Sequence, residues 1–121
     1  MSAPVITHDQ KTAYEADGCV KIEGAFASDW VDLLTKAFDE HLATIRAGEK
    51  PTQINRGAIA PADGDFDTAA GKSHLRNAAI NDDALWRWVS QSPAPAIVGA
   101  LTGASAVQYW YDIWFCKDHS D

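Results

Sequence analysis

His119 and Asp121 are the residues whose spacing most directly suggests metal chemistry. A His-x-Asp motif can supply two of the three protein ligands of a 2-His-1-carboxylate iron site. The remaining histidines, His8, His41 and His74, all lie upstream, and the helical pattern predicts that His8 and His41 lie on helix surfaces. No third ligand follows Asp121 in the sequence, so the motif alone does not define a metal site.

Arg76 and Lys117 are candidates for binding a carboxylate. A guanidinium group can hold a carboxylate through two parallel hydrogen bonds, and Arg76 follows directly after Leu75 in a Leu-Arg-Asn segment. Under strict alternation Lys117 lies on the same side of its strand as Ile113 and Phe115. The alternatives are a solvated surface arginine and a lysine that reaches water from the end of a strand.

The segment that leads to Lys117, residues 109–117 (YWYDIWFCK), is rich in aromatic residues. Aromatic and β-branched residues at both odd and even positions predict a strand, beginning near Ala106, that is covered on both faces. Tyr109, Trp110, Tyr111 and Trp114 then pack in the interior, although a stacking platform for sugars or bases is an alternative. Asp112 within this run must be hydrogen-bonded or paired if it is buried, and we expect it to have a structural role.

Four helices are predicted to position these residues. Thr7 and Gln10 form a capping box for a helix that ends at Gly18. The longest helix begins with Ser28 as its cap and ends at Gly48, and it buries one apolar side against a sheet. Further helices begin at residues 81–83 and at Ser92-Pro93, the second of them ending at Gly103.

Two other segments complete the predicted organisation. Residues 19–23 (CVKIE) alternate between apolar and polar, which indicates a short strand. Residues 49–73 have no periodicity and are rich in Gly, Pro, Asp and Ala. A loop of this length in a compact domain is typically a lid over a functional site or a disordered segment.

Composition limits the function classes. The 121 residues carry a net charge of −7 and are 46% hydrophobic, which allows one domain with a real core. A negative surface repels nucleic acid and anionic membranes, and we predict a soluble cytoplasmic protein with no nucleic-acid or membrane partner. Cys19 and Cys116 lack the C-x-x-C spacing of a zinc site and are interpreted as small core residues.

In their order and spacing these segments resemble the N-terminal part of the phytanoyl-CoA dioxygenase family, which are non-haem Fe(II)- and 2-oxoglutarate-dependent oxygenases. Residues 14–26 resemble the family's opening segment, F-x-x-D-G-[YF] followed by a hydrophobic strand. Residues 85–89 and 97–103 are similar to its paired helices ending in L-x-G. Residues 111–117 are similar to its strand with an Asp-Gln pair and a terminal lysine.

The resemblance implies an α+β fold in which N-terminal helices pack on the first strands of a double-stranded β-helix (a jelly-roll or cupin-like fold) that this chain leaves incomplete. It implies a small organic substrate, with Fe(II) and 2-oxoglutarate as cofactors. Arg76, Ile113 and Lys117 would bind or flank 2-oxoglutarate, with Ile113 replacing the family's common glutamine. Residues 49–73 would form a substrate lid. The family's iron ligands would fall beyond Asp121, so neither His119 nor Asp121 would bind iron.

A second hypothesis from another class remains open. The chain could be a non-catalytic α+β binding or assembly module whose sheet is completed by a partner chain. An aromatic strand at a sheet edge is a template for strand addition or self-association.

Overall fold

The protein is described by a computed structural model that covers residues 4–49, 63–67 and 72–117, with the backbone alone at 63–67, 72–74 and 117. Its helices and strands follow in the order α1 (His8–Asp17), α2 (Ser28–Arg46), β1 (Asp63–Asp67), β2 (Lys72–Arg76), α3 (Asp83–Gln91), α4 (Ala94–Thr102) and β3 (Ile113–Lys117). A 3₁₀ turn at Ala79–Asn81 joins β2 to α3. The predicted α+β class is confirmed. None of the helices in the described ranges is long and apolar enough to span a bilayer.

The capping box of α1 forms as predicted. The backbone N–H of Gln10 donates to the Thr7 hydroxyl at 3.2 Å, and the backbone N–H of Thr7 donates to the Gln10 side chain at 2.8 Å. Gly18 ends the helix with a left-handed φ of 73°, a conformation that a residue without a Cβ adopts at little cost.

The strand predicted at residues 19–23 is wrong. This segment belongs to no strand; Val20 and Ile22 are half-buried, whereas Cys19, Lys21 and Glu23 are exposed. The alternation in the sequence therefore reflects a segment without regular structure that buries one side. A strand also needs a partner backbone, and the sheet of the described residues contains only β1, β2 and β3.

Helix α2 carries the apolar side that the periodicity predicts. Ala37 and Ile45 are buried, and the Phe38 ring stacks on Trp114 of β3 at 4.9 Å between centroids. The predicted Ser28 cap is wrong, because Ala27 occupies the N-cap position and no side chain there accepts a hydrogen bond.

Helices α3 and α4 begin close to the predicted positions. Asp82 caps α3 by accepting the Leu85 N–H at 2.9 Å. At the start of α4 the Ser92 hydroxyl accepts the Ala94 N–H at 3.3 Å, although Pro93 is the N-cap residue. Gly103 ends α4 in the left-handed region, as predicted.

The sheet is antiparallel in the order β1-β2-β3. Leu75 of β2 lies opposite Trp114 of β3, and Leu75 is fully buried in the core with Ala37, Ala78, Ala79 and Leu85. Ile113 and Phe115 alternate with Trp114 and are 39% and 69% exposed. The prediction that the aromatic strand is covered on both faces is therefore wrong for the described residues: β3 is covered on the Trp114 side alone.

The stretch predicted to be a loop, residues 49–73, contains β1 and the start of β2. Residues 50–62 and 68–71 lie outside the described ranges. The aromatic strand also begins later than predicted, at Ile113 instead of near Ala106.

Candidate functional site

Asp112 fixes the turn that joins β2 to α3. Its carboxylate accepts the backbone N–H of Ala78 at 3.0 Å and that of Ala79 at 3.1 Å, and its carbonyl oxygen accepts the N–H of Asn77 at 2.9 Å. The Tyr109 hydroxyl also donates to this carboxylate. The hydrogen-bonded, structural role predicted for Asp112 is therefore confirmed by four contacts.

The turn itself is tightly constrained. Asn77 has a φ of 54°, in the left-handed region that asparagine tolerates better than most residues. The Asn81 side chain, in a residue only 3% exposed, donates to the Asn77 carbonyl at 3.0 Å. Arg76 immediately precedes this turn and ends β2, so its backbone position is held from the turn as well as from the sheet.

Arg76 and Ile113, two of the residues predicted to bind 2-oxoglutarate, are directly opposite each other in the sheet. Lys117, the third, ends β3 opposite Lys72, and its side chain lies outside the described part. Since strand residues two apart share a face, residue positions 72, 74 and 76 share one sheet face with 113, 115 and 117. This face is opposite the one that carries the buried Leu75 and the half-buried Trp114.

Burial raises the pKa of Tyr109 well above its usual range, and the hydrogen bond to Asp112 raises it further. The phenol therefore stays protonated and acts as a donor to the carboxylate. With two backbone N–H groups and one phenol bound to it, Asp112 serves as an anchor rather than as a proton-transfer group.

His41 links α2 to α3, contrary to the prediction that it lies on a helix surface. Its Nε2 lies 2.9 Å from Asp82 Oδ2, and the His41 side chain is only 12% exposed. Asp82 Oδ1 caps α3, so one carboxylate serves both contacts. The signal was available in the sequence, because His41 lies three residues after Phe38 and four before Ile45, on the apolar side of α2.

The aromatic residues of the 109–117 segment separate into interior and surface groups. Trp114 packs against Phe38, and Tyr109 packs on the core with an edge-to-face contact to Trp86 at 5.8 Å. Trp110 and Tyr111 are 84% and 50% exposed. The predicted interior packing holds for Trp114 and in part for Tyr109, but is wrong for Trp110 and Tyr111.

An open cavity of about 440 Å³ lies between α3, α4 and the segment that precedes β3. Its lining includes Trp86, Val98, Val107, Tyr109, Tyr111 and Asp112. Sequence reasoning missed this cavity, because it is formed by two helices and a segment with no regular structure.

The remaining residues considered in the sequence are His119, Asp121 and the two cysteines. His119 and Asp121 lie outside the described part of the chain. Cys19 is exposed, which corrects its assignment to the core, and Cys116 is half-buried. Among the described residues no three His, Cys, Asp or Glu side chains come together as a metal site.

No protein-family model, curated protein or solved structure matches this chain. The resemblance to phytanoyl-CoA dioxygenases therefore stays a prediction from sequence motifs.

Proposed function

We propose that this chain is the N-terminal part of a non-haem Fe(II)- and 2-oxoglutarate-dependent dioxygenase that hydroxylates a small organic molecule. In this proposal β2 and β3 belong to a larger jelly-roll sheet, and the face bearing Arg76 and Ile113 binds 2-oxoglutarate. The observation that carries the proposal is the register pair between Arg76 and Ile113.

The chemistry of this pair suits a dicarboxylate with a short methylene chain. A guanidinium can hold one carboxylate through two parallel hydrogen bonds, and Arg76 is an exposed residue at the end of β2. Ile113, 39% exposed, offers an apolar surface to the methylene groups. Asp112 holds both residues in register, because its backbone and side chain tie the start of β3 to the turn after Arg76.

Iron is not assigned to residues of this chain. The described residues contain no group of three ligands that fits a metal ion, and the resemblance places the family's ligands beyond Asp121. In the proposal the metal is held outside the described residues, and the sheet contributes co-substrate binding alone.

The proposal is tested by titrating the protein with 2-oxoglutarate and following its backbone amides by NMR. We expect saturable shifts at residues 76–79 and 113, and at least about tenfold weaker binding in Arg76→Gln. Arg76→Lys should bind with intermediate affinity, because it keeps the charge and loses the planar fork.

Arg87→Gln is the matched control. It removes the same charge from α3, where Arg87 lies over the Trp30 ring at 5.7 Å, and should leave 2-oxoglutarate binding unchanged. Equal binding in Arg76→Gln and the wild type, or no shift at these residues, would contradict the proposed site.

A second candidate is a binding or assembly module that completes its sheet with another chain. It is favoured by the position of β3 at the edge of the sheet formed by the described residues, and by the exposed rings of Phe115 and Trp110. Backbone groups on an edge strand can pair with an added strand, while apolar side chains provide contact area.

Sedimentation velocity over a range of concentrations tests this second candidate. Self-association should weaken in Phe115→Lys and persist in Val5→Lys, a change at a residue that is 89% exposed and outside the sheet. A wild-type protein that stays monomeric at every concentration would exclude self-association through β3.

A further inference from the structure

The cavity between α3, α4 and residues 107–112 is separate from the proposed 2-oxoglutarate site. Neither Arg76 nor Ile113 lines it. Its volume, about 440 Å³, falls within the range of roughly 300–1,000 Å³ usual for small-molecule sites. Val98 of α4 and Val107 contribute to its wall and are 44% and 42% exposed, so the cavity opens to solvent through an apolar rim.

Aromatic rings line this cavity from two directions. Trp86 comes from α3 and Tyr109 from the segment before β3, and their rings are nearly perpendicular at 88° with centroids 5.8 Å apart. Tyr111 adds a third ring and is half-exposed. Perpendicular electron-rich rings that share a cavity are the arrangement by which proteins hold organic cations.

The charge in the cavity points to the same class of ligand. Asp112 lines it, and the described residues give Asp112 hydrogen-bond donors that are all neutral: two backbone N–H groups and the Tyr109 phenol. The ion pairs among the described residues join Lys21 to Glu23, Lys36 to Glu40 and His41 to Asp82. None of them supplies Asp112 with a cation.

We propose that this cavity binds a small organic cation, a quaternary or alkylated ammonium group, with its charge between the aromatic rings and Asp112. The aromatic faces attract the cation through their quadrupoles, and the carboxylate adds a coulombic attraction strengthened by the partly dry surroundings. The apolar rim accommodates the ligand's methyl groups. The overall charge of −7 favours the approach of a cation.

Choline is the probe, and 3,3-dimethyl-1-butanol is its neutral counterpart of the same shape. In an NMR titration of the 121-residue chain we expect saturable choline shifts at the amides of residues 107–112 and at the Trp86 indole N–H. The neutral alcohol should bind at least about tenfold more weakly. Equal affinity for both compounds, or no saturable shift with choline, would overturn the proposal.

Two exposed aromatic residues give a matched pair of variants. Tyr111→Leu removes a ring from the cavity and should raise the choline dissociation constant about threefold or more. Trp110 does not line the cavity, although its ring packs edge-to-face on Tyr111 at 4.9 Å, so Trp110→Leu should weaken choline binding less than Tyr111→Leu does. Tyr111→Phe retains the aromatic face and should bind as the wild type does.

Two substitutions at Val98 provide a second pair of variants, and neither removes a hydrogen bond of Asp112. Val98→Lys places a competing cation at the rim and should weaken choline binding at least about tenfold, whereas Val98→Gln fills similar space without charge and should bind nearly normally. Val31→Lys, at a valine of α2 that is 51% exposed compared with 44% for Val98, should have no effect. Choline shifts that persist in Tyr111→Leu and Val98→Lys would place the ligand elsewhere and overturn the assignment.

Discussion

Tyr109 donates its hydroxyl hydrogen to Asp112, and the same carboxylate accepts the backbone N–H groups of Ala78 and Ala79. A residue before β3 thus holds a turn more than thirty positions earlier in the chain. Ala78 and Ala79 are 1% and 2% exposed, so water cannot easily replace the carboxylate as their acceptor.

Asp112→Asn should destabilise the fold by about 2–3 kcal/mol, because the amide cannot accept all the hydrogen bonds of the carboxylate and leaves a buried donor unsatisfied. Urea unfolding measures the loss. Tyr109→Phe, which removes one donor, should cost about 1 kcal/mol. Tyr14→Phe is the control, since no side-chain hydrogen bond of Tyr14 occurs among the described residues, and it should change stability little. An Asp112→Asn protein as stable as the wild type would contradict the anchoring role.

The raised pKa of Tyr109 predicts a loss of stability at alkaline pH. A group whose pKa is higher in the folded state stabilises the fold fully below its unfolded pKa, about 10 for tyrosine. This contribution is lost as the pH rises from there towards the folded pKa. The free energy of unfolding should therefore fall above about pH 10, and fall less in Tyr109→Phe. If both proteins lose stability equally over this range, the phenol of Tyr109 is not protected in the fold.

His41 and Asp82 support a third prediction, at the contact between α2 and α3. Asp82→Ala removes both the N-cap and the histidine's partner and should cost about 1–2 kcal/mol. Asp82→Asn should cost less, because asparagine also caps helices well. The exposed Asp29, in the first turn of α2, gives the control: Asp29→Ala should stay within about 0.5 kcal/mol of the wild type in urea unfolding. Equal losses in Asp82→Ala and Asp29→Ala would argue against the shared role of Asp82.

Local signals predicted the helices well. Capping and termination depend on residues three or four positions apart, as in Thr7 with Gln10, Asp82 with Leu85, and Gly103 after α4. These interactions form within a few residues of chain, so the sequence carries them directly. The burial of Ala37 and Ile45 follows from helical spacing in the same way.

The incorrect predictions concern strand pairing between segments that are distant in the sequence. The β1 strand has the sequence DGDFD, whose Asp and Gly residues are disfavoured in strands, and it forms through its register with β2. Residues 19–23 show the converse case. Their alternating pattern is typical of a strand, but the described sheet does not include them. Propensity alone cannot identify the partner of a strand.

The candidate site was predicted only in part, because its geometry also depends on strand pairing. The residue types marked Arg76 and Ile113 as candidates for binding and Asp112 as a structural residue. Their positions relative to one another depend on the β2–β3 register and on the Asn77 turn. The aromatic cavity depends on how residues 107–112 pack against α3 and α4, and no local sequence pattern specifies that packing.

Leu75 gives a direct test of how tightly the helices pack on the sheet. It is fully buried between the sheet and the helices, opposite Trp114, so Leu75→Ala should create a cavity and lower the free energy of unfolding by about 2–5 kcal/mol. Val31→Ala removes apolar atoms from a side chain that is 51% exposed on α2 and should cost under about 1 kcal/mol. Urea unfolding of both variants gives the comparison. Similar small losses in the two proteins would mean that β2 does not pack beneath α2 and α3, because a tightly packed interior cannot lose three carbon atoms of a side chain without cost.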